Sequence, residues 1–445
     1  MSTEVDDTAQ RFLDRFAGDR PGDATEWIAD LRREAAESFA HTGLPHQRLE
    51  DWKYTSVKPI ARRDFARPDA SQATADAAAI EAQRIPGLDT CRLVFINGHY
   101  SAALSDGQGP GGDVRVRSLA GVLADDPEAL RGRFSGCAPS DFSGFTALNT
   151  AFAEDGAVIE VPADARGERP IELLFVSTPQ DPAVACHPRV LISAGHHGEA
   201  TIIEHYIGID DAANLTNVVT EAVLDAGARI AHYRIQRDSR KGFHIGSVHT
   251  QQAGASRFES HNMQIGGQLV RSDINTSLND EGAETLLNGL YLANGRQHVD
   301  THTRINHMAP NTKSEEAYRG ILDDNARGVF NGRVYVARDA QKTAAYQSND
   351  NLLLSGKAEI DTKPELEIYA DDVVCSHGAT VGQLDQQAMF YLRSRGVDEE
   401  AARGLLLYAF AEETIERMQL SALREWLQGF VIEELPHSER VREFV

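Results

Sequence analysis

Among the glycines between residues 227 and 295, those at 227, 242, 254, 267, 282 and 295 recur at intervals of 15, 12, 13, 15 and 13 residues. The runs between them are rich in Val, Ile, Thr and Tyr, side chains that suit a pleated, half-buried surface. Similar short runs come earlier, reading CRLVFINGHYSAAL from Cys91, AVIEVP at 157–162, IELLFVS at 171–177 and RVLISAG at 189–195. Others follow through GVFNGRVYVA at 328–337 to a last strand beginning at Leu366. A closed sandwich and a solenoid both accommodate such punctuation. So many short, evenly spaced strands favour a mainly β chain whose core, residues 91–382, is a right-handed parallel β-helix or a related stacked sheet. A solenoid has open ends that need covering, and helical periodicity stands on both sides of this core, in an N-terminal helical region (1–90) and a C-terminal helical domain (383–445).

In the N-terminal region Asp23 followed by Glu26 reads as a helix cap with its partner, and Trp27, Leu31, Ala35 and Phe39 recur at helical spacing until Gly43 and Pro45 end the pattern. Residues 45–57, PHQRLEDWKYTSV, mix charge with Trp52 and Tyr54 in a way no periodicity explains. In the C-terminal domain Asp398 opens one amphipathic helix. LSALREWLQGFVIEEL supplies a second with a broad apolar face, suited to packing on the sheet or to receiving a partner.

The chain's formal net charge of −23 repels phosphate backbones and anionic lipid, and there is no basic stripe with interleaved aromatics, so nucleic acid is excluded as a natural partner. MSTEVDDTAQ has neither a basic nor an apolar leader segment and no apolar run approaches a membrane span, so the expectation is a cytoplasmic, non-membrane protein. Four single cysteines, Cys91, Cys137, Cys186 and Cys375, form no C-x-x-C, which argues against a disulfide framework or an autonomous zinc or iron–sulfur site. The first three are expected as small buried hydrophobes. GQGPGG at 107–112 matches G-x-G-x-x-G in form, but Pro110 interrupts it and VRVRSLAG after it does not read as a capped helix. There is no P-loop anywhere.

The densest polar constellation is His298, Asp300, His302 and Arg304, alternating with Val299, Thr301, Thr303 and Ile305 as the solvated or interface face of a half-buried strand would. Its two histidines lie roughly 13 Å apart along a strand, too far to share one ion. Asp300 with Arg304 is the faint carboxylate candidate for an alternative identity, a β-helix polysaccharide lyase or hydrolase. The better pair closes the β region, in LEIYADDVVCSHGATVGQLDQQAMFYLRSRG at 366–396. Period-2 alternation from Leu366 puts Cys375 and His377 on one strand face if that strand continues past Val374, with Gly378 as its break. A thiolate and an imidazole about 6.6 Å apart at the backbone can turn toward one metal, but two ligands make half a site. Helical spacing then begins at Asp385, with Phe390, Tyr391 and Leu392, and Gly396 stands where a helix would end.

That last segment, together with LPHQRLEDWKYTSV, LVFINGHY, ALNTAFAEDGAVIEVP, HPRVLI and EHY, resembles the SufB/SufD family of iron–sulfur cluster assembly proteins along nearly the whole chain. Within it the chain is similar to the members that lack an N-terminal cysteine motif. The resemblance implies a non-enzymatic scaffold subunit that pairs with SufB through the β-helix and with the ATPase SufC through the C-terminal helices, with Phe390, Tyr391, Leu392, Arg393 and Arg395 as candidate SufC contacts, and that pairs with itself when SufB is absent. It further implies that Cys375 and His377 lie near the SufB contact as shared ligands of iron or a transient iron–sulfur cluster, with no cofactor held stably by this chain alone.

Overall fold

The computed structural model describes residues 2–18, 20–436 and 438–442. Its centre is a parallel β-solenoid of about eight turns. Each turn gives one strand to each of two facing sheets. The first sheet runs from Ile171–Ser177 through Glu199–Gly208, Arg229–Arg237, Arg257–Gln264, Glu284–Ala293, Lys313–Leu322 and Ala344–Leu353 to Val374–Gly382. The second runs from Gly156–Val161 through Arg189–Ala194, Leu215–Leu224, Phe243–Gln252, Leu269–Leu278, His298–His307 and Arg327–Val336 to Glu359–Ile368. Every neighbouring pair in these two series is parallel and in continuous register, as where His298 sits between Leu269 and Arg327. The glycine interval is therefore one strand plus one corner, half a turn. Gly227, Gly267, Gly282 and Gly295 take φ of 72°, 83°, 76° and 62° at such corners, where a side chain would strain the backbone.

Inward rows fill the lumen with Val190, Ile202, Val218, Ile230, Phe258, Val270, Ile274, Val299 and Phe330. The helices sheath the two outer faces. Phe12, Phe16, Phe39, Trp52, Phe145 and Phe152 pack on Leu215, Phe243, Ile245 and Leu269 of the second sheet. The C-terminal helices Glu399–Ile415 and Ser421–Glu434 lay Leu407, Ile415, Leu423, Leu427 and Val431 on Ile203, Tyr233, Met263, Leu290 and Ile321 of the first. Covering those apolar rows removes more surface from water than closing an end would, so the broad face of the last long helix is used for packing and the final turn is left uncovered.

Some local readings are corrected. Helix Glu26–Thr42 starts after Thr25, and Asp23 instead accepts from the backbone N–H of Arg20 and pairs with Arg32. It does end at Gly43, with φ 64°. The strand from Leu366 does not continue into Cys375: Glu359–Ile368 closes the second sheet, a corner at 369–373 stacks on the corner before it, and Val374–Gly382 closes the first. The Gln341 side chain accepts from Asp372 N at 2.8 Å there, and Lys342 pairs with Asp372 at 3.0 Å. Gly378 lies inside that last strand, paired with Ser348, not at its end. Ser118 caps helix Leu119–Asp125, accepting from Gly121 N at 3.1 Å, so VRVRSLAG is a strand and a capped helix after all. The glycine loop stands before that strand and shares a pocket with Ser118 and Gly121 at the helix start, but Asp106 and Asp125 line that pocket against the single cation Arg117, which opposes a phosphate there.

Candidate functional site

The sequence reading left residues 45–57 unexplained and placed His298, Asp300 and His302 on a solvated or interface face; each observation accounts for the other. The 45–57 segment straps across the outer face of the second sheet. Trp52 lies under the Arg271 guanidinium at 4.3 Å, Arg271 Nη1 donates to Asp51 O at 2.8 Å, and Lys363 pairs with Glu50 at 3.0 Å. Beneath the strap Asp300 is fully buried, accepting from Thr55 Oγ1 and from Arg271 Nη1 at 2.6 Å and facing His302 Nε2 at 3.1 Å; His298 Nε2 meets the same Thr55 hydroxyl at 2.8 Å. Burial alone would raise the Asp300 pKa, but Arg271 and the histidines beside it hold the carboxyl well below its usual range. It is a buried clamp between strap and sheet. The open groove that a glycan-cleaving carboxylate needs is absent at this residue.

Cys375 and His377 stand on the last strand, opposite Ala345 and Gln347 of the turn before. Ala345 and Gln347 are buried, so this face of the ladder looks into the lumen. Cys375 is half-buried against the lumen cluster, and burial pushes its thiol up while a hydrogen bond to the Ala345 backbone pulls it back. His377 is exposed because no further turn covers it. Both strands of the final turn present a free edge, and Tyr369, Val374 and Val381 are 58%, 61% and 50% exposed there. Pro364 removes one donor from the Glu359–Ile368 edge, whereas Val374–Gly382 contains no proline, and the alternate backbone groups not bonded to the strand before it face the open side. A long unblunted edge with exposed apolar side chains is a template for another strand.

Helix Gln386–Ser394 follows, capped by Asp385 accepting from Gln387 N at 2.8 Å and ended near Gly396 at φ 92°. Phe390 and Tyr391 are 74% and 55% exposed, Leu392 turns half inward, Arg393 pairs with Glu399 at 3.2 Å and Arg395 lies 4.8 Å over the Tyr391 ring.

Cys91 and Cys186 are buried and Cys137 half-buried; burial pushes the Cys91 thiol up to about 11 and the other two higher still. None is poised to bind a metal. Among the described residues no three of His, Cys, Asp and Glu are grouped to hold an ion, so Cys375 with His377 is a two-donor arrangement facing the open edge. The sequence reading missed Gln347 and Glu316, buried one and two ladder steps behind the open end. The signal lay in KSEEAYRGIL, where an inward Tyr318 forces Glu316 inward as well.

Two family models divide the chain: "SufBD protein N-terminal region" matches residues 15–173, and "SUF system FeS cluster assembly, SufBD core domain" matches residues 175–410. An iron–sulfur cluster assembly SufBD family protein of Synechocystis is 34% identical over 96% of this chain and 95% of its own length. The iron–sulfur cluster assembly protein SufD of Escherichia coli is 32% identical over 91% and 92%, and that of Bacillus subtilis 28% over 64% and 65%.

Proposed function

Because this chain belongs to the SufBD family of iron–sulfur cluster assembly proteins, we propose that it works as a scaffold without chemistry of its own, in the cytoplasm, beside a SufB subunit and the ATPase SufC. The observation that carries the reading is the uncovered final turn. It combines a free nine-residue strand edge, exposed apolar side chains and two metal-capable donors in one place. A SufB strand set on that edge satisfies the open backbone groups and brings its own ligands to Cys375 and His377. Iron and sulfide are the cargo of this site.

His377 is the essential donor and Cys375 the supporting one. A scaffold has to release what it builds, and imidazole is the less thiophilic and more readily displaced ligand. Nucleotide hydrolysis falls to SufC, since this sequence has no phosphate-cradling loop. SufC docks on the exposed Phe390–Tyr391 face with Arg393 and Arg395 at its rim.

Coexpression with SufB and SufC tests this: one stable three-component complex is expected. His377→Ala should keep the subunit ratio and lose most of the iron and acid-labile sulfide of the purified complex, and Cys375→Ala should lose less. Full iron and sulfide in His377→Ala makes the pair structural.

A further inference from the structure

Inside the lumen one ladder column runs His377, Gln347, Glu316, Leu287, Ser260. Glu316 and Gln347 are 2% and 4% exposed, and the Gln347 Nε2 donates to Glu316 Oε2 at 2.7 Å. That leaves Glu316 Oε1 and Gln347 Oε1, both buried, and neither has a hydrogen-bond partner among the described residues. Two acceptors on adjacent side chains, already joined by one hydrogen bond, lack one thing between them, a proton. A carboxylic acid and a primary amide form a cyclic pair in which the amide N–H donates to one acid oxygen and the acid O–H donates to the amide oxygen. One proton on Glu316 Oε1 satisfies both orphan atoms at once, whereas an ionised Glu316 leaves Gln347 Oε1 unpaired even where the Thr303 hydroxyl donates to the carboxylate.

The surroundings agree. Gly332 on the facing sheet makes the space: a Cβ there would sit 2.2 Å from the Gln347 Nε2. The groups that bear on Glu316 are the Thr303 hydroxyl from the facing sheet and Gln347, and burial outweighs both, pushing the carboxyl up to about 7. Leu287 stands on its other side. Tyr318, two positions along the same strand, is titratable, but burial first and then the Glu316 charge push its phenol well up, and Arg234 is the cation bearing on it.

We propose that Glu316 holds a proton shared with Gln347, and that losing it reorients the Gln347 amide behind His377, so that the pair is a buried proton switch for the open-end site. With Glu316 neutral, the amide is locked in the cyclic pair. With Glu316 ionised, two oxygens oppose each other, and the amide swings to offer both N–H groups to the carboxylate. The face behind the His377 ring changes with it, and an imidazole's ligand strength depends on the group behind it. This rests on His377 being the essential donor.

Infrared difference spectra of the isolated full-length chain between about pH 6 and about pH 8 read the carbonyl band of a protonated buried acid, near the pH where this carboxyl titrates. The band should be present at the lower pH, fade toward the higher, vanish in Glu316→Gln, and survive in Asp155→Asn, which removes the other buried carboxyl that burial holds toward its neutral form. No Glu316-dependent band overturns the proposal, whatever His377 does. Gln347→Leu, which keeps the volume and removes the amide, should move the band's midpoint by about one pH unit; an unmoved midpoint overturns the sharing. In the complex with SufB and SufC, Glu316→Gln should flatten the pH dependence of ferrous iron bound per complex. An unchanged profile overturns the link to His377, and loss of iron in His377→Ala is read separately, so the two readings fail independently.

Discussion

The two ends of the solenoid are built from the same two-strand turn and have opposite fates. At the first, Arg92 and Glu172 form a bidentate pair with both side chains 1% exposed, and Arg189 donates from both Nε and Nη2 to the single oxygen Oε1 of buried Glu221, at 3.0 and 2.6 Å. Helices lie over both. At the last, the backbone edge, Val374 and His377 are open to solvent. A turn in the middle of a solenoid has neighbours on two sides and a terminal one has neighbours on one, so the first end is protected by added helices and the last stays a surface. Substitutions should be costly in the first region and nearly free in the second.

The largest effect is expected at Arg189→Ala. Glu221 also accepts from the backbone N–H groups of Ser135, Cys137 and Ala138 at 2.8, 2.8 and 2.9 Å, but without the guanidinium its buried charge loses its counter-ion. Breaking such a pair from one side costs about 3–5 kcal/mol. Chemical denaturation should show a shift of that size; a shift below about 1 kcal/mol would mean the closed end is no more sensitive than a surface.

Glu316 divides the two regions and adds a pH axis. Its folded pKa is raised from 4.5 to about 7, so the folded state binds the extra proton between those values and stability falls as pH rises through the window. The penalty is complete above about 7 and absent below about 4.5. Glu316→Gln should therefore stabilise the chain by about 3 kcal/mol at about pH 8 and by little at about pH 4.5, read from melting curves across pH. A gain of the same size at both ends would assign it to packing.

Beyond the last turn, Phe390→Ala with Tyr391→Ala should leave the isolated chain's stability within about 0.5 kcal/mol and weaken SufC binding by about 2 kcal/mol or more, measured by calorimetry. Unweakened binding would move the docking face elsewhere.

How much of this was legible depended on periodicity. The half-turn glycine spacing, the helix starts at Asp385 and Asp398 and the Cys375–His377 face are all local patterns, and the structure keeps each of them. The strap is not local: the fold pairs Trp52 with Arg271, 219 positions further along the chain, and nothing in PHQRLEDWKYTSV announces its receptor. The same strap turns Asp300 from an outward residue into a buried one, which alternation alone cannot reveal, because period 2 gives the face and not what covers it. The strand break after Ile368 was hidden for a related reason, since alternation continues across a tight corner.

Cys91 and Cys375 give the most closely matched test of the two ends. Both are on strands of the first sheet and both touch the lumen cluster, Cys91 at 1% exposure in Cys91–Ile96, which pairs with Ile171–Ser177 on the side away from the solenoid, and Cys375 half-buried in the closing strand. Replacing Cys91 by Ala removes a buried sulfur and leaves a cavity that its helices and strands cannot fill, at a cost of about 1 kcal/mol. At Cys375 water reaches the vacated space and the cost should be below about 0.5 kcal/mol. Reactivity should run the other way. Burial raises both thiols, but the Cys91 thiolate also needs an opening of the fold to meet a reagent, whereas Cys375 lies on a strand paired on one side only. Under native conditions an alkylating reagent should therefore label Cys375 well before Cys91, and docking of SufB on the final turn should slow Cys375 alone. Equal labelling rates in the isolated chain would show that the last turn is closed by something else, such as a second copy of the chain, and dilution would then separate that cover from the edge itself.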